Sequence, residues 1–321
     1  MKRNILISVL FVLPFFACSQ NSGEKPAEIT GMTVRNYEGH VLIDFWDEGG
    51  GMQMGFYPVG VNGLFSMAKV NYYPTLSNHR QGRPSGEFNS CTDWIGPYYV
   101  CGVSSVKEGL PQKFTGGWHG SNGDGTGKPT AATVETRLEL DGTSATGNFE
   151  RNCNQVDLYV TNLIQGFDYL KTGKNLLKEL VHYRIKPNRI IDMEVRIVAL
   201  EDAVIQRYYG LQSQNFAIFD SVKYLAGQRV VNTEAAKTNS NCRSNDGVNT
   251  ILITGNETKH RLKLVMNIEE GLGAPGTLGE GKPRAFTASY GKSYFNLINN
   301  KDLVMKKGAE VWWKGAYLWD Q

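Results

Sequence analysis

The side chains most able to do chemistry in this chain are His119, Tyr208, Tyr209, Arg184 and Gln212. They form the set that cleavage of an acidic polysaccharide by β-elimination requires. In that reaction a cationic or amide donor offsets a uronate carboxylate and so acidifies the proton at C5. A His or Tyr removes the proton, and a Tyr donates one to the leaving oxygen. His119 is the expected base and Tyr208 or Tyr209 the expected acid, with Arg184 and Gln212 holding the carboxylate. Trp118, Trp94, Tyr98, His182 and Asn122 are expected to line the same cleft. Hydrolysis is the rival chemistry, and it needs two carboxylates about 5–5.5 Å or 6.5–9.5 Å apart. Glu194, Glu201, Asp202, Asp93 and Asp124 are available for it, but no same-strand pattern of acids marks a retaining glycosidase, so elimination ranks first.

Most of these residues depend on loops for their placement. The stretch 114–131, FTGGWHGSNGDGTGKPTA, holds six glycines with one Trp, one His, one Asp and one Lys. It has neither helical nor strand period, and its glycines permit positive φ and close backbone approach. Loops longer than about 12 residues in a compact domain are usually functional or disordered. Trp118 beside His119 favours an ordered lip of a cleft. The run Asn122 to Gly127 has the composition of a calcium loop, but one carboxylate is too few for six to eight oxygen ligands. No metal and no organic cofactor is expected.

Around these loops the pattern is all-β. Ala132 to Asp141 alternates, and Gln155–Leu163, Thr250–Thr254, His260–Ile268 and Lys292–Ile298 read as further short strands bounded by turn residues. The one helical window, Tyr169 to Leu180, is interrupted by Gly173. One hairpin has a readable register. A three-residue loop, Pro187-Asn188-Arg189, sets Ile185 against Ile191, Tyr183 against Met193 and Val181 against Val195. Any one-residue slip would turn every side chain to the wrong face. This register puts Arg184 opposite Asp192 and His182 opposite Glu194, either a solubilising charge ladder or the floor of a glycan cleft. The expected fold is an antiparallel two-sheet β-sandwich, jelly-roll-like, formed as one domain by residues 31–321.

The N-terminus carries an address. Lys2 and Arg3 precede an apolar run from Ile5 to Ala17, too short to span a bilayer, and Cys18 follows. This resembles a bacterial lipoprotein signal, in which cleavage after residue 17 leaves Cys18 as the acylated first residue. Residues 18–30 read as a polar tether. An outer-membrane lipoprotein of the cell envelope, touching the membrane through its lipid alone, is therefore expected. The net charge of +3 falls nearly to neutral once Lys2 and Arg3 are removed, so there is no electrostatic case for a nucleic-acid partner. A monomer with a poly- or oligosaccharide partner is expected. In an oxidising compartment the other four cysteines would pair, Cys91 with Cys101 and Cys153 with Cys242 as the first choice.

The segments Pro58 to Phe65 (PVGVNGLF), Thr92 to Val100 (TDWIGPYYV), 116–127 and Tyr208 to Gln212 (YYGLQ) are similar to an uncharacterised β-rich domain of secreted bacterial and phage tail-type proteins. With the lipoprotein signal, the chain also resembles components of polysaccharide-utilisation systems. The resemblance implies contact with glycan polymers at a cell surface and brings no assigned catalytic residues. A non-catalytic glycan-binding lipoprotein and a surface-assembly protein are the readings from other functional classes.

Overall fold

The computed structural model describes residues 31–47, 50–73, 86–89, 96–115, 120, 127–215, 218–243 and 245–320. The signal, the tether, Cys18, Cys91, Trp94, Trp118, His119, Asn122 and the calcium-like run up to Thr126 lie outside these residues.

Period-two patterning dominates, and the outcome is an all-β antiparallel sandwich. One ten-stranded sheet runs from Arg229–Ala235 at one edge to Thr143–Ser144 at the other. A six-stranded sheet contains Gly31–Tyr37 through Leu64–Tyr73. A five-stranded sheet is built from Ser240–Cys242, Ala285–Ala288, Lys292–Met305, Ala203–Gln214 and Pro97–Gly102.

Both smaller sheets pack on the same face of the large one. Tyr183, Met193 and Gly315 are neighbours across three adjacent strands and so share a face with Trp313 and Tyr317. On that face Tyr183 meets Phe56 of the six-stranded sheet edge-on at 5.2 Å. Trp313 and Tyr317 bond to Tyr208 and Gln212 of the five-stranded sheet. The expected two-layer sandwich is thus one broad layer covered by two narrower ones, and a single buried cluster runs through all three.

The hairpin register matches the sequence reading pair for pair, Arg184↔Asp192 and His182↔Glu194 included. Arg189 takes the positive φ (59°) that its three-residue loop needs. The strand expected over 132–141 forms as Ala131–Leu140, and its alternation is buried only at its end, at Leu138 and Leu140, while Val134 is 55% exposed. The helical window 169–180 instead contains the end of a 3-10 turn, Phe167–Tyr169, and the start of a strand, Asn175–Lys186. Glycine at 173, with φ 67°, turns the chain between them. The C-terminal strand Glu310–Asp320 lies inside the large sheet, with Trp313 fully buried and Trp312 on the other face.

The expected disulfides do not form. Cys101, Cys153 and Cys242 are free thiols, all buried. Cys101 packs with Phe167 and Val204, and Cys242 bonds to the Ala285 carbonyl at 3.4 Å in the five-stranded sheet. Cys153 follows the edge strand Phe149–Asn152 of a different sheet. Alternation inside a core, rather than proximity in sequence, sets where each thiol points. Burial pushes Cys101 up to about 12, with Asp168 and Asp302 acting in the same direction, and Cys153 and Cys242 up to about 11. Alkylation of the native chain near neutral pH should leave these three unmodified, and unfolding should make all three reactive, as read by peptide mass. Disulfide-linked peptides containing any of them would contradict the free-thiol assignment.

A second expectation concerns pH. His260 is 6% exposed and lies edge-on to Tyr72 at 4.7 Å. Burial, helped by Arg189, pushes its pKa down to about 4 from 6.5. The folded chain therefore holds it neutral where the unfolded chain binds a proton. Stability is intact above about pH 6.5 and falls as pH drops toward 4, by on the order of 3 kcal/mol at most. Urea midpoints measured across that window should decline, and His260→Gln should flatten the slope.

Candidate functional site

The expected site residues that lie among the described residues fall in three different places. Tyr208 is in the core, 0% exposed, and its hydroxyl accepts the indole N–H of Trp313 at 2.7 Å. Burial raises its phenol well above the ordinary value, and Glu179 adds to the effect. It is a strut between sheets, not a surface acid. Gln212 is equally buried. Its backbone N–H donates to the Tyr317 hydroxyl at 3.1 Å, and that hydroxyl donates to its carbonyl at 2.7 Å. Its side-chain amide exchanges bonds with the Tyr98 hydroxyl at 3.1 and 3.3 Å. Tyr98, 4% exposed, supports the site from below rather than meeting a substrate.

Arg184 and His182 alternate with the buried Tyr183, so they lie on the opposite face of the large sheet, away from Tyr208, Tyr209 and Gln212. There they form a ladder with Asp157. His182 Nε2 is 2.6 Å and Arg184 Nε 3.0 Å from Asp157 Oδ1, and Gln155 donates to Oδ2. Tyr159 stacks on His182 at 4.3 Å, and the Arg137 guanidinium caps Tyr159 at 3.8 Å. Burial alone would raise the Asp157 pKa, but the bonds from Gln155, His182 and Arg184 outweigh it and hold the carboxyl below its ordinary value. A carboxylate with both oxygens occupied is a poor base. Glu194 is likewise held by Arg196 and Lys314, and Glu201 and Asp202 are held by surface lysines. This face is a set of closed ion pairs rather than the expected uronate cleft.

Tyr209 behaves differently from its neighbour. The strand Ala203–Gln214 breaks register between Ile205 and Arg207, between Tyr208 and Tyr209, and again before Gln212. Strand alternation sends Tyr208 inward and Tyr209 outward, with Arg207 on the side of Tyr209, while the bulges bend the strand around them. A Cβ at Gly210, at the break, would meet Met266 Cε at 2.6 Å, so the glycine leaves room for that side chain. On the outward face Tyr209 is half-buried among Tyr294 at 5.0 Å, Tyr98 at 5.2 Å and Phe286 at 5.7 Å. Phe286 stacks on Tyr294 at 4.8 Å, and the Tyr294 hydroxyl bonds that of Tyr290, itself 69% exposed. The result is a tyrosine-rich shelf on the five-stranded sheet.

Two cations flank the shelf. Lys292 Nζ lies 5.1 Å over Tyr294, and the Arg207 guanidinium lies 4.8 Å over Tyr99. Arg207 reaches the Asn299 side-chain oxygen at 3.4 Å, while its Nε is buried without a hydrogen-bond partner. Among the described residues no carboxylate lies within ion-pair range of it. Burial raises the Tyr209 phenol, and Arg207 draws it back. Among the described residues of the shelf, Tyr99, Phe114, Arg207, Tyr209, Phe286, Tyr290, Lys292 and Tyr294, none is an acid that could supply the carboxylate pair of hydrolysis.

The loops singled out in the sequence start from this shelf. Phe114 packs edge-on against Tyr98 and Tyr99, and the Thr115 N–H donates to the Tyr98 carbonyl at 2.9 Å. At the other stem, Thr130 N–H donates to Asn62 Oδ1 at 2.7 Å. Gly120, with φ 68°, approaches the Lys128 carbonyl so closely that a Cβ would lie 2.7 Å from it. Sequence reasoning missed Arg207, Phe286 and Tyr294. The alternation of Tyr294 with Asn296 and the glycine inside YYGLQ were the signals available. Among the described residues no group of three or more His, Cys, Asp or Glu is placed to hold a metal.

No family model matches the chain, and neither does any curated protein. Among solved structures it is similar to a galactose 1-epimerase from Lactobacillus acidophilus, at 9% identity and TM-score 0.44, over 91% of this chain and 99% of that one. It is also similar to a heparinase III, at 13% identity and TM-score 0.33, over 93% of this chain and 35% of that one.

The two adjacent tyrosines should separate cleanly on substitution. Tyr208→Phe leaves the buried Trp313 N–H without its acceptor and should cost about 1–3 kcal/mol in urea unfolding. Tyr209→Phe should change stability by less than about 1 kcal/mol, because its ring contacts survive. Equal losses at both positions would contradict the inward–outward assignment.

Proposed function

We propose that this chain is a lipid-anchored, extracytoplasmic enzyme that cleaves a uronate-containing polysaccharide by β-elimination on the tyrosine shelf. Cys18 would carry the lipid at the outer membrane. The observation that carries the reading is Arg207: a half-buried guanidinium beside Tyr209 with an orphaned Nε and no carboxylate in reach among the described residues. A desolvated cation of this kind is complementary to an incoming carboxylate, and guanidinium geometry suits a carboxylate well.

In this reading the uronate carboxylate pairs with Arg207 while the sugar rings lie against Tyr209 and Phe286 beside the exposed Tyr290, with the buried Tyr294 supporting them from below. Charge withdrawal from the carboxylate acidifies the C5 proton. A base takes that proton, the C4–O bond breaks, and the electron pair left at C5 becomes the C4=C5 double bond. The departing oxygen receives the Tyr209 proton. His119 belongs to the loop that leaves the shelf at Thr115 and is the proposed base.

The test is absorbance near ~235 nm, where the new conjugated double bond absorbs, with the purified mature chain on a panel of acidic polysaccharides. A rise is expected, reduced about 100-fold or more by Tyr209→Phe and by Arg207→Met, with the Tyr209→Phe loss falling on kcat. A flat trace on every acidic polymer, with the wild-type chain folded, would overturn elimination. The stacked aromatics favour one second reading, non-catalytic glycan binding. It would appear as acidic-glycan affinity without new double bonds or new reducing ends, weakened by Phe286→Ala and unmoved by Tyr209→Phe.

A further inference from the structure

Beyond the shelf, the loop from Gly271 to Arg284 and the turn around Asn245 line a separate, partly open cleft of about 380 Å³. Its size falls within the range of small-ligand sites, about 300–1,000 Å³. Val248, Ile268, Pro275 and Leu278 supply apolar wall, and Asn245 and Arg284 supply the polar groups. Arg284 is 3% exposed. Its side-chain hydrogen bonds run to two neutral backbone carbonyls, Ala274 at 3.2 Å and Asn296 at 3.4 Å. No carboxylate among the described residues pairs with it. The acid next to Asn245, Asp246, turns its carboxylate back onto the Arg243 backbone N–H at 2.7 Å. Lys301 donates to the carbonyl of the lining Gly276 at 2.6 Å.

Burying an unpaired charge costs several kcal/mol, and a bare guanidinium would not be retained cheaply for packing alone. Its two carbonyl acceptors are neutral and the bonds are long for charge-assisted ones. Burial also lowers the Arg284 pKa, the direction expected of a cation left without an anion.

We infer that this cavity is an anion subsite for an organic carboxylate of about one sugar ring in size, the carboxylate meeting Arg284 and the ring lying against Leu278, Pro275 and Val248. A carboxylate would replace the missing counter-ion, and the apolar wall gives the ring a face to cover. The inference stands independently of the shelf, because none of its lining residues belongs to the Arg207–Tyr209 cluster.

The experiment is titration calorimetry of D-galacturonate, D-galactose and inorganic sulfate into the full mature chain carrying Tyr209→Phe. That background silences the proposed elimination, so failure here and failure of the lyase reading are separate results. Galacturonate is expected to bind about tenfold or more tighter than galactose, since the sugars differ at the charged group. Leu278→Trp, which fills the cavity from a half-buried wall position, should abolish binding. Asn245→Ala, at an exposed rim position, should weaken it. Arg284→Gln should remove the preference for galacturonate, and Leu278→Trp keeps the test valid if that variant fails to fold. Equal affinity for the two sugars, binding unaffected by Leu278→Trp, or no binding of galacturonate to the folded chain would overturn the subsite. Sulfate binding as tightly as galacturonate would overturn the requirement for a ring.

Discussion

The contact on which the site depends is the buried seam between the ten-stranded and five-stranded sheets. Trp313 donates to Tyr208, and Tyr317 closes both backbone groups of Gln212. These bonds satisfy polar groups at the point where the strand Ala203–Gln214 departs from regular pairing. Broken ladder bonds buried without such partners would be expensive. The seam therefore lets a bulged strand exist inside a core. Strand alternation then gives the adjacent tyrosines opposite fates, one a strut and the other a wall of the shelf.

Electrostatics then separates the two ionisable surfaces of the molecule. On the outer face of the large sheet each prominent carboxylate has its cation: Asp157 with His182 and Arg184, Glu194 with Arg196 and Lys314. Such exposed ladders contribute little and ask for nothing from a ligand. The five-stranded sheet presents the converse, with Arg207 and Arg284 lacking acids among the described residues and aromatic or apolar side chains around them. Both positions are complementary to anions, and the Arg207 shelf adds flat ring faces. An acidic glycan meets both requirements with one ligand class.

Sequence legibility followed how local each determinant is. The hairpin around Pro187-Asn188-Arg189 was readable to the residue, because a turn length and a period of two leave only one register with apolar facing apolar. The YYGLQ stretch was readable as unusual but not as directional. Alternation sets Tyr208 and Tyr209 on opposite faces but does not say which of the two faces another sheet will cover. Pairing the cysteines by compartment failed for a related reason. Cys101 and Cys242 lie in the two opposite edge strands of the five-stranded sheet, and Cys153 follows an edge strand of the six-stranded one, so each thiol is buried in a different part of the core.

By itself the sequence determined the β class, the register of one hairpin and the aromatic burden, all properties set by neighbours a few residues apart. Only the tertiary structure decided that Arg184 and His182 lie on one face while Tyr209 lies on another, and that Phe286 and Tyr294 join Tyr209. It also decided that Arg284 is buried beside a cavity. Those relations join residues tens of positions apart through sheet stacking and bulges, and nothing in the local pattern of an isolated strand records which layer will cover it.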